Sequence, residues 1–283
     1  MTVELVADAK ATLGEGPCWD ASSQTLYWVD ILGQRLYAGT EIMAVFDEPV
    51  GCAVPCLNGH FIVGVRSAIL DFDPASGTKR TVAELHEPSN NRVNDGKCDP
   101  SGRLLVGTMD MDNERDPTGS LYSLDGEKLM RLRSDQTIAN GLTWSPDHQT
   151  FYHIDTPTRE VVAFDYDLDT GRISNPRVAV RVPQEMGWPD GMTSDQEGRL
   201  WIAMWGGGQV TQWNPHTGQL LRRIAVPALH SSSCAFGGPK LNELYITSAR
   251  KGLNPAQLAE YPLSGGLFRV VTDTVGSPTY AFG

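Results

Sequence analysis

Four places in this sequence set an oxygen-bearing side chain directly before a glycine: Glu15-Gly16, Asp95-Gly96, Asn140-Gly141 and Asp190-Gly191. Glu15 and Asp190 bring two carboxylates, and Asn140 and Asn94, beside Asp95, bring one or two amide oxygens, with no His or Cys among them. Such a hard oxygen set suits Ca²⁺, Mg²⁺ or Mn²⁺ better than a structural zinc. Any one pair alone reads as an Asx-type turn beside a permissive glycine. Four at matched places read differently, because crowded carboxylates repel unless a cation or a proton neutralises them.

The matching comes from the elements around them. One phrase, a turn followed by a short apolar and aromatic strand, occurs six times: SSQTLYWVDI (22–31), LNGHFIVGVR (57–66), PSGRLLVGTM (100–109), PDHQTFYHID (146–155), QEGRLWIAMW (196–205) and LNELYITSAR (241–250). Taking Leu26, Phe61, Leu104, Phe151, Leu200 and Leu244 as equivalent, the intervals are 35, 43, 47, 49 and 44 residues. That period belongs to propeller blades. Each copy runs into a second strand phrase, such as REVVAFDYDLDTG (159–171) or GQVTQWNPHTG (208–218), and then a further apolar segment, as successive antiparallel strands of one blade do. A β-sandwich does not predict six copies of one two-strand phrase. The chain reads as an all-β, six-bladed β-propeller, one domain over 1–283, with VELVAD (3–8) pairing into the last blade to close the ring and only LNPAQLAEY (253–261) helical.

From Glu15, Asp95, Asn140 and Asp190 to the reference residue of the strand that follows, the offsets are 11, 9, 11 and 10 residues, with 10 for Asn94, the neighbour of Asp95. Equal offsets in a ring predict that these groups converge at one end of the central channel. The second blade offers Val50-Gly51 at this place and the sixth the run Ser231 to Cys234, which leave part of the ring open.

Composition excludes several functions. With 40% apolar and 20% charged residues the chain is an ordinary globular protein, and a net charge of −11 argues against a nucleic acid or an anionic membrane as partner. The N-terminus lacks a basic region followed by an apolar run, and nowhere do 18 apolar residues run together, so the chain reads as cytoplasmic. Five cysteines, Cys18, Cys52, Cys56, Cys98 and Cys234, are an odd number and read as reduced thiols, with Cys52 and Cys56 packing rather than binding metal. The histidines are scattered without metal spacing, and His153, inside a strand phrase, is the one exception worth checking. The tryptophans read as packing, although Trp188, directly before Pro189-Asp190, could line a pocket.

The phrases LGEGPCW (13–19), NNRVNDGKCDPSGRLLVGTM (90–109), IANGLTWSPDHQTFYHIDT (138–156) and WPDGMTSDQEGRLWIAMWGGGQV (188–210), with CAFGGPKLNELYITSAR (234–250) and AEYPLSGGLF (259–268), span nearly the whole chain. Together they resemble the senescence-marker-protein, gluconolactonase and luciferin-regenerating-enzyme-like propellers. The resemblance implies a single divalent metal in the channel and, for many members, lactone hydrolysis. It places Glu15, Asn140 and Asp190 on metal-ligand positions and Arg92 and Asn94 on substrate contacts, with Asp112 roughly where some relatives have a substrate-contacting Glu. The metal expected is one divalent ion, Ca²⁺ foremost, with Mg²⁺, Mn²⁺, Zn²⁺ or Fe²⁺ as alternatives. The partner expected is a small-molecule sugar lactone, with no obligate protein partner.

The chemistry fits these places. A cation can polarise a lactone carbonyl without a Ser or Cys nucleophile, and no GxSxG elbow is present. Asp190 is the candidate general base and Arg92 offers a planar fork of donors to a polyol. Two rivals stand beside this reading: a phosphotriesterase-like hydrolase of the same architecture, with a wider and more apolar pocket, and a non-enzymatic calcium-binding scaffold.

Overall fold

In every blade the repeated phrase forms the second strand, and the residues just before it form the first. The computed structural model describes residues 1–283, which build six four-stranded antiparallel sheets around one axis, the expected six-bladed β-propeller. The innermost strands are Gly14–Asp20, Val50–Pro55, Asn91–Cys98, Ala139–Trp144, Trp188–Ser194 and His230–Gly237. Burial falls from the axis outwards. The second strands Phe61–Val65 and Leu104–Asp110 are buried at every position, because neighbouring blades cover both faces. The outer strands Lys79–Glu84 and Gln219–Ala225 are mostly exposed and carry much of the charge.

Two devices close the ring. The N-terminal strand Val3–Ala7 pairs antiparallel with Leu267–Val271 and completes the sixth blade, as the sequence predicts. The C-terminal tail is a strap that the sequence does not announce. It runs across the ends of the inner strands and touches every blade. Gly276 N donates to Leu241 O (2.7 Å), Ser277 N to Ser194 O (3.0 Å), Phe282 N to Pro55 O (2.9 Å) and Gly283 N to Gly102 O (3.1 Å). Thr279 Oγ1 donates to Trp19 O, and Tyr280 Oη meets His148 Nε2 at 3.1 Å. The tail therefore covers one mouth of the channel and leaves the other, where the inner strands begin, for ligands.

The helix Pro255–Glu260 is capped by Asn254, whose side chain accepts from Gln257 N at 3.0 Å while Gln257 Oε1 accepts from Asn254 N at 3.0 Å. All five cysteines are free thiols, and burial pushes Cys18, Cys52, Cys56 and Cys234 up to about 12, so none is a ready nucleophile at neutral pH. No helix is long and apolar enough to cross a membrane.

All six inner strands share one irregularity. The pairing with the second strand slips between Glu15 and Cys18, Val50 and Cys52, Val93 and Asp95, Asn140 and Leu142, Pro189 and Met192, and Ser231 and Ser233. Each slip is a bulge that bends its strand and re-aims the residues beside it. At Gly141 and Gly191 the glycine is there because adjacent inner strands nearly touch, whereas Gly16 has room for a Cβ but a φ of +54°. A Cβ at Gly191 would lie 2.0 Å from Ser233 Oγ and 2.8 Å from Ser233 Cα in the next blade, and one at Gly141, whose φ is +38°, would lie 2.8 Å from Asp190 O. Gly191→Ala should therefore cost about 1–3 kcal/mol in overpacking. Urea unfolding of the variant beside the wild type measures it, and an unchanged midpoint would show that the inner strands have room to spare.

Candidate active site

The uncovered mouth opens into a cavity of about 310 Å³. Glu15, Asn140 and Asp190, from blades one, four and five, line it together with Arg92 and Asn94 from blade three. Of the four oxygen-bearing residues whose offsets predict convergence, Glu15, Asn140 and Asp190 line this cavity, as do Arg92 and Asn94, which the resemblance assigned to substrate. Asp95 does not enter the cavity. The bulge between Val93 and Asp95 breaks the alternation of the strand, so Asn94 meets the cavity while Asp95 lies further along the channel with Gly16 and Ser233; burial raises its pKa, and Lys97 is the charge that most opposes the shift.

The floor is electrostatically unbalanced. Glu15 is 4% exposed and Asp190 6% exposed, yet neither forms an ion pair. Glu15 Oε2 accepts only from Gly16 N at 2.8 Å, and Asp190 Oδ1 is in close contact with Asn140 Nδ2. Burial holds both carboxyls well above the usual carboxylate range, and the negative charges around them add to the effect: Asp190 and Asp95 at Glu15, and Asp95 at Asp190. Buried carboxylates in this state keep a proton or recruit a cation. The oxygens of Glu15, Asp190 and Asn140, which a flip of the amide would bring to the same side, are a donor set that fits one hard divalent cation.

Thr156, which the sequence reading did not single out, braces this floor. It opens a 3₁₀ turn, Thr156–Thr158, on blade four. Its hydroxyl accepts from Asn140 Nδ2 at 3.2 Å and donates to Pro189 O at 2.9 Å, tying blade four to blade five beneath the site.

Arg92 is a buried guanidinium with no carboxylate partner. Nη1 donates to Val93 O and to Asn94 Oδ1, both at 2.9 Å, and Nη2 points at the Met109 sulfur at 3.2 Å. Asn94 in turn donates to Ala139 O at 3.1 Å, so it orients Arg92 and links blades three and four. Burial lowers the Arg92 pKa to about 10, with Glu114, Glu15 and Asp190 offsetting part of the effect.

Asp112 is exposed and does not line the cavity; two and three residues further along the same loop, Glu114 and Arg115 do. Glu114 pairs with Lys251 across the mouth, from the loop of blade three to that of blade six. The Asp110 carboxylate accepts from the backbone N–H groups of Asp112 and Asn113, at 2.7 and 2.8 Å, and this turn carries Asp112 away from the cavity. His153 is a core residue. Its Nε2 meets Gln136 Oε1 at 3.0 Å, and burial lowers its pKa to about 3, so it stays neutral. Trp144 and Trp201 are core residues, whereas Trp188 lines the cavity beside Trp205.

With this geometry in hand, comparison with known proteins gives a family. A family model described as "SMP-30/Gluconolactonase/LRE-like region" matches residues 13–250. The chain belongs to that family. The match takes in every candidate residue from Glu15 to Asp190. Regucalcin of Danio rerio is 40% identical over 290 residues, covering 99% of this chain and 98% of that protein. A Bacillus subtilis protein named "Putative sugar lactone lactonase YvrE" is 37% identical over 286 residues, covering 98% and 97%. Among solved structures, a protein from Agrobacterium tumefaciens described as a calcium-binding protein, regucalcin, superposes with a TM-score of 0.93 at 28% identity, covering 99% of this chain and 96% of that one.

The unpaired Arg92 carries a prediction of its own. A pKa depressed by burial means that folding works against its charge, so Arg92 is held for something other than stability. Arg92→Met keeps most of the volume and removes the charge, and its melting temperature should equal or exceed that of the wild type. A fall of several degrees in a thermal scan would instead make Arg92 a structural hydrogen-bonding hub.

Proposed function

We propose that this chain hydrolyses a neutral sugar lactone to the aldonic acid, with one divalent cation, Ca²⁺ foremost, held by Glu15, Asn140 and Asp190. The observation that carries the reading is the pair of buried carboxylates without a cationic partner, set beside an unpaired buried arginine in one open cavity. The names of relatives, a sugar lactone lactonase among them, support the same substrate class. The free thiols suit a reducing compartment, and we place the protein in the cytoplasm on that ground.

When bound, the cation polarises the lactone carbonyl and offsets the negative charge that develops on its oxygen. Asp190, as carboxylate, takes a proton from water as the water oxygen bonds to the carbonyl carbon. The ring C–O bond then breaks and the same proton returns to the departing ring oxygen, which becomes a hydroxyl. Arg92, oriented by Asn94, offers its fork to the oxygens of the substrate. Glu15 supplies charge and position. Its carboxylate and that of Asp190 balance a dication, so a neutral substrate enters without a large electrostatic penalty.

Chelation should abolish hydrolysis of D-glucono-1,5-lactone, and two variants should then part company. Glu15→Gln removes one ligand charge, and cation affinity should fall at least roughly ten- to a hundredfold, with saturating Ca²⁺ restoring most of the rate. Asp190→Asn removes a ligand charge and the base together, so saturating Ca²⁺ should restore little. Initial rates across a Ca²⁺ series, corrected for spontaneous hydrolysis, make the comparison. Equal recovery would reduce Asp190 to a ligand, and turnover that survives chelation would remove the cation from the chemistry.

A further inference from the structure

Trp188 and Trp205 are partners across the first two strands of blade five, and both line the cavity above Asp190. One face of each indole is already covered. The Arg159 guanidinium sits 3.5 Å from the centroid of the Trp188 ring and is itself held by donation from Nη1 to Gly187 O at 2.6 Å. Trp205 stacks on His230 with centroids 4.1 Å apart and planes 5° from parallel. Backed in this way, each ring is fixed in orientation, Trp205 further by packing against the cluster that holds Leu13 and Ala249, and both present part of their surface to the cavity.

Depth separates these rings from the chemistry. The carboxylates of the floor are almost wholly buried, whereas Trp188 is 40% exposed and stands at the rim, with Trp205 half-buried beside it. A lactone whose carbonyl reaches the floor presents its substituents, not its reacting ring, to them. The cavity, about 310 Å³, is open at this rim, so a substituent on a bound lactone would extend past the indoles rather than into the floor. Flat apolar rings match the C–H face of a pyranose, and the remainder of the rim, with Arg115, Glu114 and Lys251, offers donors and acceptors to its hydroxyl edge.

On these grounds, and resting on the lactonase reading above, we propose that Trp188 and Trp205 form a second sugar subsite, so that the preferred substrates are aldonolactones bearing a glycosyl substituent, the lactones of oxidised disaccharides.

The test compares kcat/KM for cellobiono-1,5-lactone with that for D-glucono-1,5-lactone in the Ca²⁺-loaded protein. The wild type should favour the disaccharide lactone. Trp188→Ala should lower the ratio of the two constants about tenfold, and Trp188→Phe, which keeps a flat ring, should retain most of it. Because Trp188 lies two residues from Asp190, the ratio is the readout: damage to the floor lowers both constants together, and loss of the subsite lowers one more than the other. A wild type that favours the monosaccharide, or a ratio that Trp188→Ala leaves unchanged, overturns the proposal. If neither lactone is hydrolysed, the lactonase reading fails, and calorimetric titration with cellobionate and gluconate still decides the subsite. Tighter binding of cellobionate that Trp188→Ala removes supports it, and equal binding overturns it.

Discussion

Six inner strands meeting around one axis leave almost no room between neighbouring backbones, and the candidate site follows from that crowding. Where the strands draw together, a side chain at the contact point would collide with the next blade, as a Cβ at Gly191 would with Ser233. Glycine removes the collision, and a bulge at the same level in each strand takes up the extra residue and turns its neighbour inward. The residue before each glycine is thereby aimed at the axis. The pairing of an oxygen-bearing side chain with glycine is therefore one structural device used in several blades, and its outcome is a ring of polar groups that no single blade could assemble.

That convergence has an electrostatic cost that the protein chain does not offset by itself. Glu15 and Asp190 are buried near each other and near Asp95, without an ion pair for either of the first two, and their carboxyls are held in the protonated direction. Arg92 is buried close by with its charge disfavoured, yet it is spent on a carbonyl, an amide and a sulfur. A domain selected for stability alone would have joined these groups or replaced them with apolar ones. Keeping opposite charges apart around an open cavity is the arrangement expected of a site that waits for a cation and a polar substrate.

Much of this was legible in the sequence, and the limits have physical causes. The blade period and the N-terminal closing strand could be read because each repeat needs the same turn and the same buried strand. Glu15, Asn140 and Asp190 could be placed because their offsets to those strands match. Asp95, one residue short of the common offset, lies further along the channel, because the bulge between Val93 and Asp95 leaves Asn94 at the cavity instead. Asp112 illustrates the loss of phase beyond a strand end: Asp110 caps a turn there, and the loop brings Glu114 and Arg115 to the rim instead. Thr156 and Trp205 carry no local signal, because their importance lies in what blade four and blade five bring against them. The C-terminal strap, a run of turn-forming and small residues, acquires its role only from the six blades it crosses.

Whether a divalent cation takes the place of protons on the carboxylates crowded at the axis can be measured by calorimetric titration of Ca²⁺ into the metal-free protein at two pH values, in buffers of different ionisation enthalpy. Both carboxyls have pKa values raised above the usual range, so at pH 6 they retain more protons than at pH 8, and the cation must displace them. Titration should show one site per chain, proton release on binding, and an affinity that rises from pH 6 to pH 8. Binding that is absent, or that has the same affinity at both pH values and releases no protons, would contradict it.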